Sequence, residues 1–457
     1  MMYGDTTTHG HVTEVTTATG FSVEYFDTYK WMIIFRSPIS PGQVVNNTIA
    51  GELYVLTPCG ATPPAAELYP DATFFSTPLY SVSVLETIPY AFLEILGVTS
   101  RVYDVSEYVV APCGQRLVED CGRVAPDNYQ NATLLEETIM QATDAAISSE
   151  VTGYPESLIF SASEDPSALG RAEWVKYLGL FFNLDRYSSA VYAAIAAEYK
   201  KTSAAAAAEH AVPRKVAWIQ HYVYEGEENY QISFSQYRAE LTTAAAGEMV
   251  DEAEVAEIPG VQPVPFAEND YQFAWGTNGT FDSREEALDA FWQMLMDVDV
   301  VIDETYALDP LAYNLTSFEE QYSIPEDADV MPKTFPWYVS GRIFREDGLL
   351  SASMGLDWYE GALARPSTVL KDLVSAFFAP DPATKPFVWI RNIAQTPTVV
   401  TAASCKASNG QSCDATPAVI CPFVSFCPDG SSTPLVGGAT PTDTNTVNGK
   451  CEYVPCP

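Results

Sequence analysis

Apolar and polar positions alternate with period two over residues 20–58, as in Phe21-Ser22-Val23-Glu24-Tyr25-Phe26 and again around Trp31-Met32-Ile33-Ile34-Phe35. Gly and Pro punctuate these runs, which predicts antiparallel strands and hairpins. From about residue 81 the rhythm changes. Ser81 to Leu85 reads as a buried strand, Pro89 to Leu96 as a helix closed by Gly97, and Arg101 to Val105 as another strand. Pro sits near the helix start and Gly just past its end, where each fits sterically. A helix over 134–147 then leads to the strand Leu158-Ile159-Phe160. Strands alternating with helices predict a parallel α/β layer.

The stretch from Leu169 to about Ala208 carries the strongest helical pattern. Tyr187, Val191, Ile195 and Tyr199 recur at spacing four, and the alanines at 204–208 add propensity. Asn183-Leu184-Asp185 interrupts it, so the pattern predicts a shorter helix followed by one of about 20 residues, roughly 30 Å long. A second α/β block opens with the strand Val216-Ala217-Trp218-Ile219. Ser283-x-x-Glu286 is a capping box before an amphipathic helix bearing Leu288, Phe291, Trp292 and Leu295. The strand Val298 to Ile302 follows, and a helix near 366–378 closes the block. The expected plan is an N-terminal α/β lobe over 1–185 with leading hairpins, a bridging helix over 186–209, a C-terminal α/β lobe over 210–395 and a tail over 396–457. The acidic stretch Asp251 to Glu257 reads as a solvated face.

Composition narrows the function. The 457 residues are 47% apolar and 18% charged, which excludes wholesale disorder. The net charge of −37 repels phosphate backbones and anionic lipid, so no nucleic-acid partner is expected. Of nine cysteines, Cys405, Cys413, Cys421, Cys427, Cys451 and Cys456 crowd the tail. They lack CxxC pairs or His-containing spacing for zinc, and read as a disulfide-stapled module in an oxidising compartment. Three disulfides among those six are expected, with Cys113–Cys121 a further pair and Cys59 free or joined elsewhere. Sequons at Asn46, Asn131, Asn278 and Asn314 add weak support for a secreted glycoprotein. No signal-peptide core precedes His11 and no run of 18 apolar residues occurs. The expectation is a mature extracellular or cell-surface protein, with room for a C-terminal anchor removed from it.

Catalytic chemistry is hard to find. There is no Walker phosphate loop, GxGxxG after a strand, GxSxG or HExxH. His9-Gly-His11 lies in a polar terminus. His221 either lines a pocket or is a satisfied structural histidine. Ser161 and Ser163 follow a strand, but no histidine is spaced to serve as their base. No enzyme activity, metal site or cofactor of its own is expected. Aromatic residues say more, because many fall at predicted strand ends and loops, where open α/β sheets bind ligands. Flat rings with polar tips suit a bulky, partly apolar ligand. The candidate ligand-binding residues are Tyr90, Tyr108, Tyr222, Tyr224, Trp275, Tyr306, Trp358 and Tyr359. Trp174 is left out, since its helical phase with Leu178 and Phe181 points to core.

Several segments carry a family resemblance. Phe21 to Lys30 (FSVEYFDTYK) and Thr87 to Val98 (TIPYAFLEILGV) resemble the opening of substrate-binding proteins for iron-siderophore and cobalamin transport. Leu169 to Asn183 (LGRAEWVKYLGLFFN) is the most specific match, and Gly355 to Pro366 (GLDWYEGALARP) resembles the closing motif. Together they span about residues 20–395. The resemblance implies the class III substrate-binding fold, two Rossmann-like α/β lobes bridged by one long helix, with ligand held between the lobes. The Cys-rich tail, sequons and acidity are more similar to the algal cobalamin-acquisition and ferrichrome-type surface proteins. The implied function is capture of cobalamin for uptake, with a ferric hydroxamate siderophore as the alternative. A monomer that hands ligand to a membrane transporter or receptor is implied with it. Catecholate siderophores would ask for clustered cations, for which Arg342, Arg345 and Arg365 are the available set.

Overall fold

The computed structural model describes residues 13–35, 51–126, 142–149 and 156–405, apart from 225–226, 266, 268, 277–278 and 328–330, together with the pair 446–447 and 450–451. The fold is α/β, and the chain divides into two compact units. Of the described residues, those within 1–165, 169–194 and 401–457 form the first, and those within 166–168 and 195–400 form the second.

The first unit opens with β1 (Phe21–Tyr25), β2 (Lys30–Phe35), β3 (Gly51–Pro58) and β4 (Ala72–Thr77). The first three are antiparallel neighbours, as the period-two pattern predicts, while β4 joins β3 in parallel. In β2, Met32 and Ile34 point inward, and so does Lys30, whose fully buried ammonium meets Asp185 at 2.9 Å. A second, all-parallel sheet has the order β6-β5-β7-β8, from β5 (Val82–Val84), β6 (Val102–Val105), β7 (Ala145–Ser148) and β8 (Ser157–Ile159). Helix α1 (Ile88–Leu96) follows β5 and ends at Gly97, whose φ of 71° is left-handed. The predicted 134–147 helix is corrected at its end. Residues 145–147 lie in β7, an Ala-Ala-Ile run buried on both faces that carries no period to separate strand from helix. Residues 134–141 lie outside the described residues.

Helix α2 (Pro112–Cys121) carries the correction to the disulfides. Cys113 pairs with Cys405 across a sequence separation of 292, so Cys405 staples the tail's start to this unit rather than to its tail neighbours. Cys121 is also disulfide-bonded, but not to Cys113, and Cys59 keeps its thiol, near Tyr80. The remaining tail cysteines lie outside the described residues or their side chains do.

Helices α3 (Ala168–Phe181) and α4 (Asp185–Glu209) are the predicted pair. They are separated at Asn183, whose φ of 55° no helix accommodates. Trp174, Tyr177 and Phe181 on α3 pack with Phe21, Phe160 and Tyr54 at ring separations of 5.0–6.1 Å, so the most specific motif builds core. Its Glu173 is fully buried and accepts from the backbone of Thr16, Thr17 and Ala18 and from Lys176. The boundary between units falls inside α4, between Ala194 and Ile195. One 25-residue helix, about 37 Å at 1.5 Å per residue, therefore passes from one unit to the other.

The second unit holds an eight-stranded sheet built on β9 (Arg214–Tyr224). Antiparallel β10 (Glu227–Ser233) and helix α5 (Gln236–Ala244) follow β9. β11 (Gly247–Met249) runs parallel to β9, and β12 (Gln262–Pro263) and β13 (Asp270–Ala274) extend the edge beyond β10. Helix α6 (Arg284–Met294) starts at Ser283, whose hydroxyl accepts from the Glu286 amide at 3.1 Å. Glu286 reaches back to the Asp282 amide instead of closing the box on Ser283. On the other side of β9 lie parallel β14 (Val300–Asp303) and β15 (Ile343–Arg345), with α7 (Leu315–Gln321) between them. The parallel pair of β16 (Leu349–Ser351) and β18 (Thr398–Val400), helix α8 (Pro366–Phe378) and the edge strand β17 (Arg391–Asn392) complete the unit.

Candidate functional site

The parallel strands β14 and β15 end level with Ile219 of the longer β9, and this edge gathers most of the second unit's chemistry. Asp303 closes β14 and is fully buried. It accepts from Tyr313 at 2.9 Å, from Tyr322 at 3.0 Å, from the Thr305 amide at 3.0 Å and from Arg345. Arg345 also donates to Asp347 at 2.8 Å, and Asp347 accepts in turn from Arg391 at 2.6 Å. Two acids and two arginines alternate, so the buried set is neutral as a whole and ties β14, β15 and β17 together. The three arginines considered for an anionic ligand do not converge. Arg345 is held in this network, and Arg342, at the amino end of β15, caps α8 by donating to the Ala376 and Ala379 carbonyls at 2.8 Å. Arg365 donates to the Gly361 carbonyl at 3.3 Å.

A second polar group lies one residue beyond each strand. Glu304 follows Asp303 and Glu346 follows Arg345; Glu346 is buried, the Glu304 side chain is only 5% exposed, and the two acids act on each other electrostatically. Arg238 on α5 donates to Glu304 at 2.7 Å, and the Tyr359 hydroxyl donates to Glu346 at 3.1 Å. Burial pushes the Glu346 carboxyl well above its usual range, and the charge on Glu304 adds to the effect. His221, near the end of β9, is the satisfied structural histidine. Its Nδ1 accepts from Gln321 at 2.6 Å, so Nε2 carries the proton toward Glu228 at 2.9 Å. Burial lowers its pKa.

The sequence-derived candidates separate by burial. Tyr306 and Tyr359 stand 78% and 51% exposed at this strand-end face. Leu308, which the aromatic criterion passed over, is 87% exposed beside Tyr306. Trp275 and Tyr222 are half-buried, and Trp275 packs 5.3 Å from Tyr230. The Tyr224 side chain lies outside the described residues. Trp358 is only 4% exposed and packs between Trp218 at 6.2 Å and Tyr237 at 6.5 Å, so it builds core and presents no face. In the first unit, Tyr108 is exposed past the end of β6. Tyr90 is fully buried in α1 with no hydrogen-bond partner for its hydroxyl, and burial raises its pKa. Nearby Glu86 accepts from Ser148 and from both the amide and hydroxyl of Ser149. The residues missed from sequence are Glu304, Glu346 and Arg238. Their one signal, an acid just past each of two strands, is lost among 60 acids.

Two cavities open in the second unit. One of about 230 Å³ lies under Tyr306, Leu308, Asp309, Tyr313 and Gln321 at the strand carboxyl ends. Small-molecule pockets run roughly 300–1,000 Å³, so this one suits an edge of a larger molecule. The other, about 480 Å³, lies between His210, Phe378, Pro380, Asp381 and Lys385, beyond the ends of α4 and α8 and away from that face. Among the described residues no helix is long and apolar enough to cross a membrane. No three His, Cys, Asp or Glu side chains among them gather to hold a metal ion.

No protein-family pattern matches the chain, and no curated protein does. Solved structures do. A periplasmic binding protein from Veillonella parvula is 11% identical, with 68% of this chain and 89% of that one covered at a TM-score of 0.43. A periplasmic heme binding protein from Pseudomonas aeruginosa is 14% identical over 70% of this chain and 99% of that one, at 0.41. A structure described as an ABC-type Fe3+-hydroxamate transport system from Saccharomonospora viridis is 15% identical over 66% of this chain and 94% of that one, at 0.39.

Proposed function

We propose that this chain is an extracytoplasmic binding protein that captures a bulky, near-neutral metal chelate for uptake, a ferric hydroxamate siderophore or cobalamin, and passes it unchanged to a membrane transporter. The observation that carries the reading is the character of the second unit's strand-end face. It offers exposed Tyr306, Leu308 and Tyr359, while Arg345 and Arg391 behind it are held by Asp303 and Asp347. A face with aromatic and apolar groups outward, on a chain of net charge −37, disfavours an anionic catecholate and suits a ligand whose charges cancel. Both chelates meet that description, each with an apolar body and amide or hydroxamate edges. The motif resemblance over residues 20–395 and the long helix running from one unit into the other support the same reading. The Cys113–Cys405 disulfide supports an oxidising compartment.

Tyr306→Ala tests the site. As a ring buried by ligand it is worth about 2 kcal/mol, near thirty-fold in affinity. Titration of wild type and variant with ferrioxamine and with cyanocobalamin should show that loss for whichever chelate binds. Melting without ligand should not move, because the side chain is exposed. Unchanged affinity would remove the 304–315 loop from the site.

A further inference from the structure

Glu304, Glu346, Arg238 and Tyr359 form one polar cluster from core to surface, with Arg238 bonded to Glu304 and Tyr359 to Glu346. The Glu304 side chain is 5% exposed and Glu346 3% exposed, and burial together with the neighbouring Glu304 charge holds the Glu346 carboxyl well above its usual range, so the pair keeps one proton. Arg238 donates to Glu304, which marks Glu304 as the anion and Glu346 as the acid. Asp270, at the start of β13, adds its charge to Arg238's surroundings. Glu346 thus holds the pair's proton and accepts from the Tyr359 hydroxyl through one oxygen. Tyr359 is half exposed, and with its proton directed inward its oxygen lone pairs are what it turns to solvent.

We propose that Glu346 is a positioning residue that presents Tyr359 to the ligand as a hydrogen-bond acceptor, selecting chelates whose periphery carries amide N–H or hydroxyl donors. The inference rests on the binding function proposed above. It couples affinity to one buried proton. When that proton leaves, Glu304 and Glu346 repel, a single Arg238 faces two anions, and the carboxyl that orients Tyr359 is pushed out of place. Burial raises the Glu346 pKa, so the folded state holds the proton more tightly than the unfolded chain does. Stability and affinity are therefore present at low pH and decline as pH rises through the folded-state pKa.

The test uses Glu346→Gln, Glu346→Ala and Tyr359→Phe in the full chain. The glutamine keeps a donor toward Glu304 and an acceptor for Tyr359 but does not titrate. Melting without ligand across pH should show wild type losing more stability toward alkali than Glu346→Gln, which keeps only the slope of the other buried acids such as Asp372. Parallel profiles would refute the shared proton whatever the ligand is. Affinity for ferrioxamine and for cyanocobalamin, measured over the same range, should fall with pH in wild type and stay level in Glu346→Gln. Glu346→Ala and Tyr359→Phe should each lose about ten-fold near neutrality. Equal affinity of Tyr359→Phe and wild type would overturn the acceptor role even if the melting profiles differ as expected. If wild type retains neither chelate, the binding function itself fails, and the presentation role fails with it.

Discussion

Adjacent residues can have opposite fates, and Trp358-Tyr359 shows why that is hard to read from a chain. Both lie in a single 3-10 turn over Asp357–Tyr359, too short to establish a helical or strand period. Trp358 turns into the core against Trp218 and Tyr237, while Tyr359 reaches the surface. An aromatic pair near a strand end was legible in the sequence; which ring faces out was not. Trp358→Ala should accordingly cost about 3–5 kcal/mol of folding stability, read in chemical denaturation. A variant that melts like wild type but binds ligand weakly would return Trp358 to the site. Arg345 makes the same point for charge. Its guanidinium and the neighbouring Asp347 are visible in the sequence, but its partner Asp303 comes from the end of another strand that only the fold brings to it.

At the level of elements, period and punctuation carry most of the fold. The β1–β3 hairpins, α1 with its Gly97 stop, the break at Asn183 and the Ser283 cap all follow from local rules. Local rules fail where burial is two-sided, as in β7, and where a bond joins distant elements, as in Cys113–Cys405. Another long-range tie was equally invisible. Asp372 on α8 accepts from the amides of Val388 and Trp389 at 2.9 Å, and burial raises its pKa to about 6. The folded state therefore favours the protonated acid. Its contribution is fully present in acid and is lost as pH rises through about 6. Asp372→Asn keeps an acceptor oxygen without a charge. It should melt no lower than wild type at neutral pH, and its advantage should vanish as pH falls below about 6. A neutral-pH loss comparable to that of Asp372→Ala would show that the carboxylate itself is needed.

Across the whole molecule, two α/β units and one long helix running from the first into the second were readable from alternating strands and helices. The aromatic strand-end face was readable only in outline. Its polar backing, from Asp303 through Arg391 and from Glu304 through Tyr359, depends on residues up to about 120 positions apart meeting in space. The central claim is that this chain selects a bulky chelate by near-neutrality. Native mass spectrometry of the protein offered equimolar ferrioxamine, cyanocobalamin and ferric enterobactin tests it most directly. The account predicts one equivalent of a near-neutral chelate retained saturably and the trianionic catecholate ignored. Retention of the catecholate in preference to both, or of no chelate at all, would contradict it.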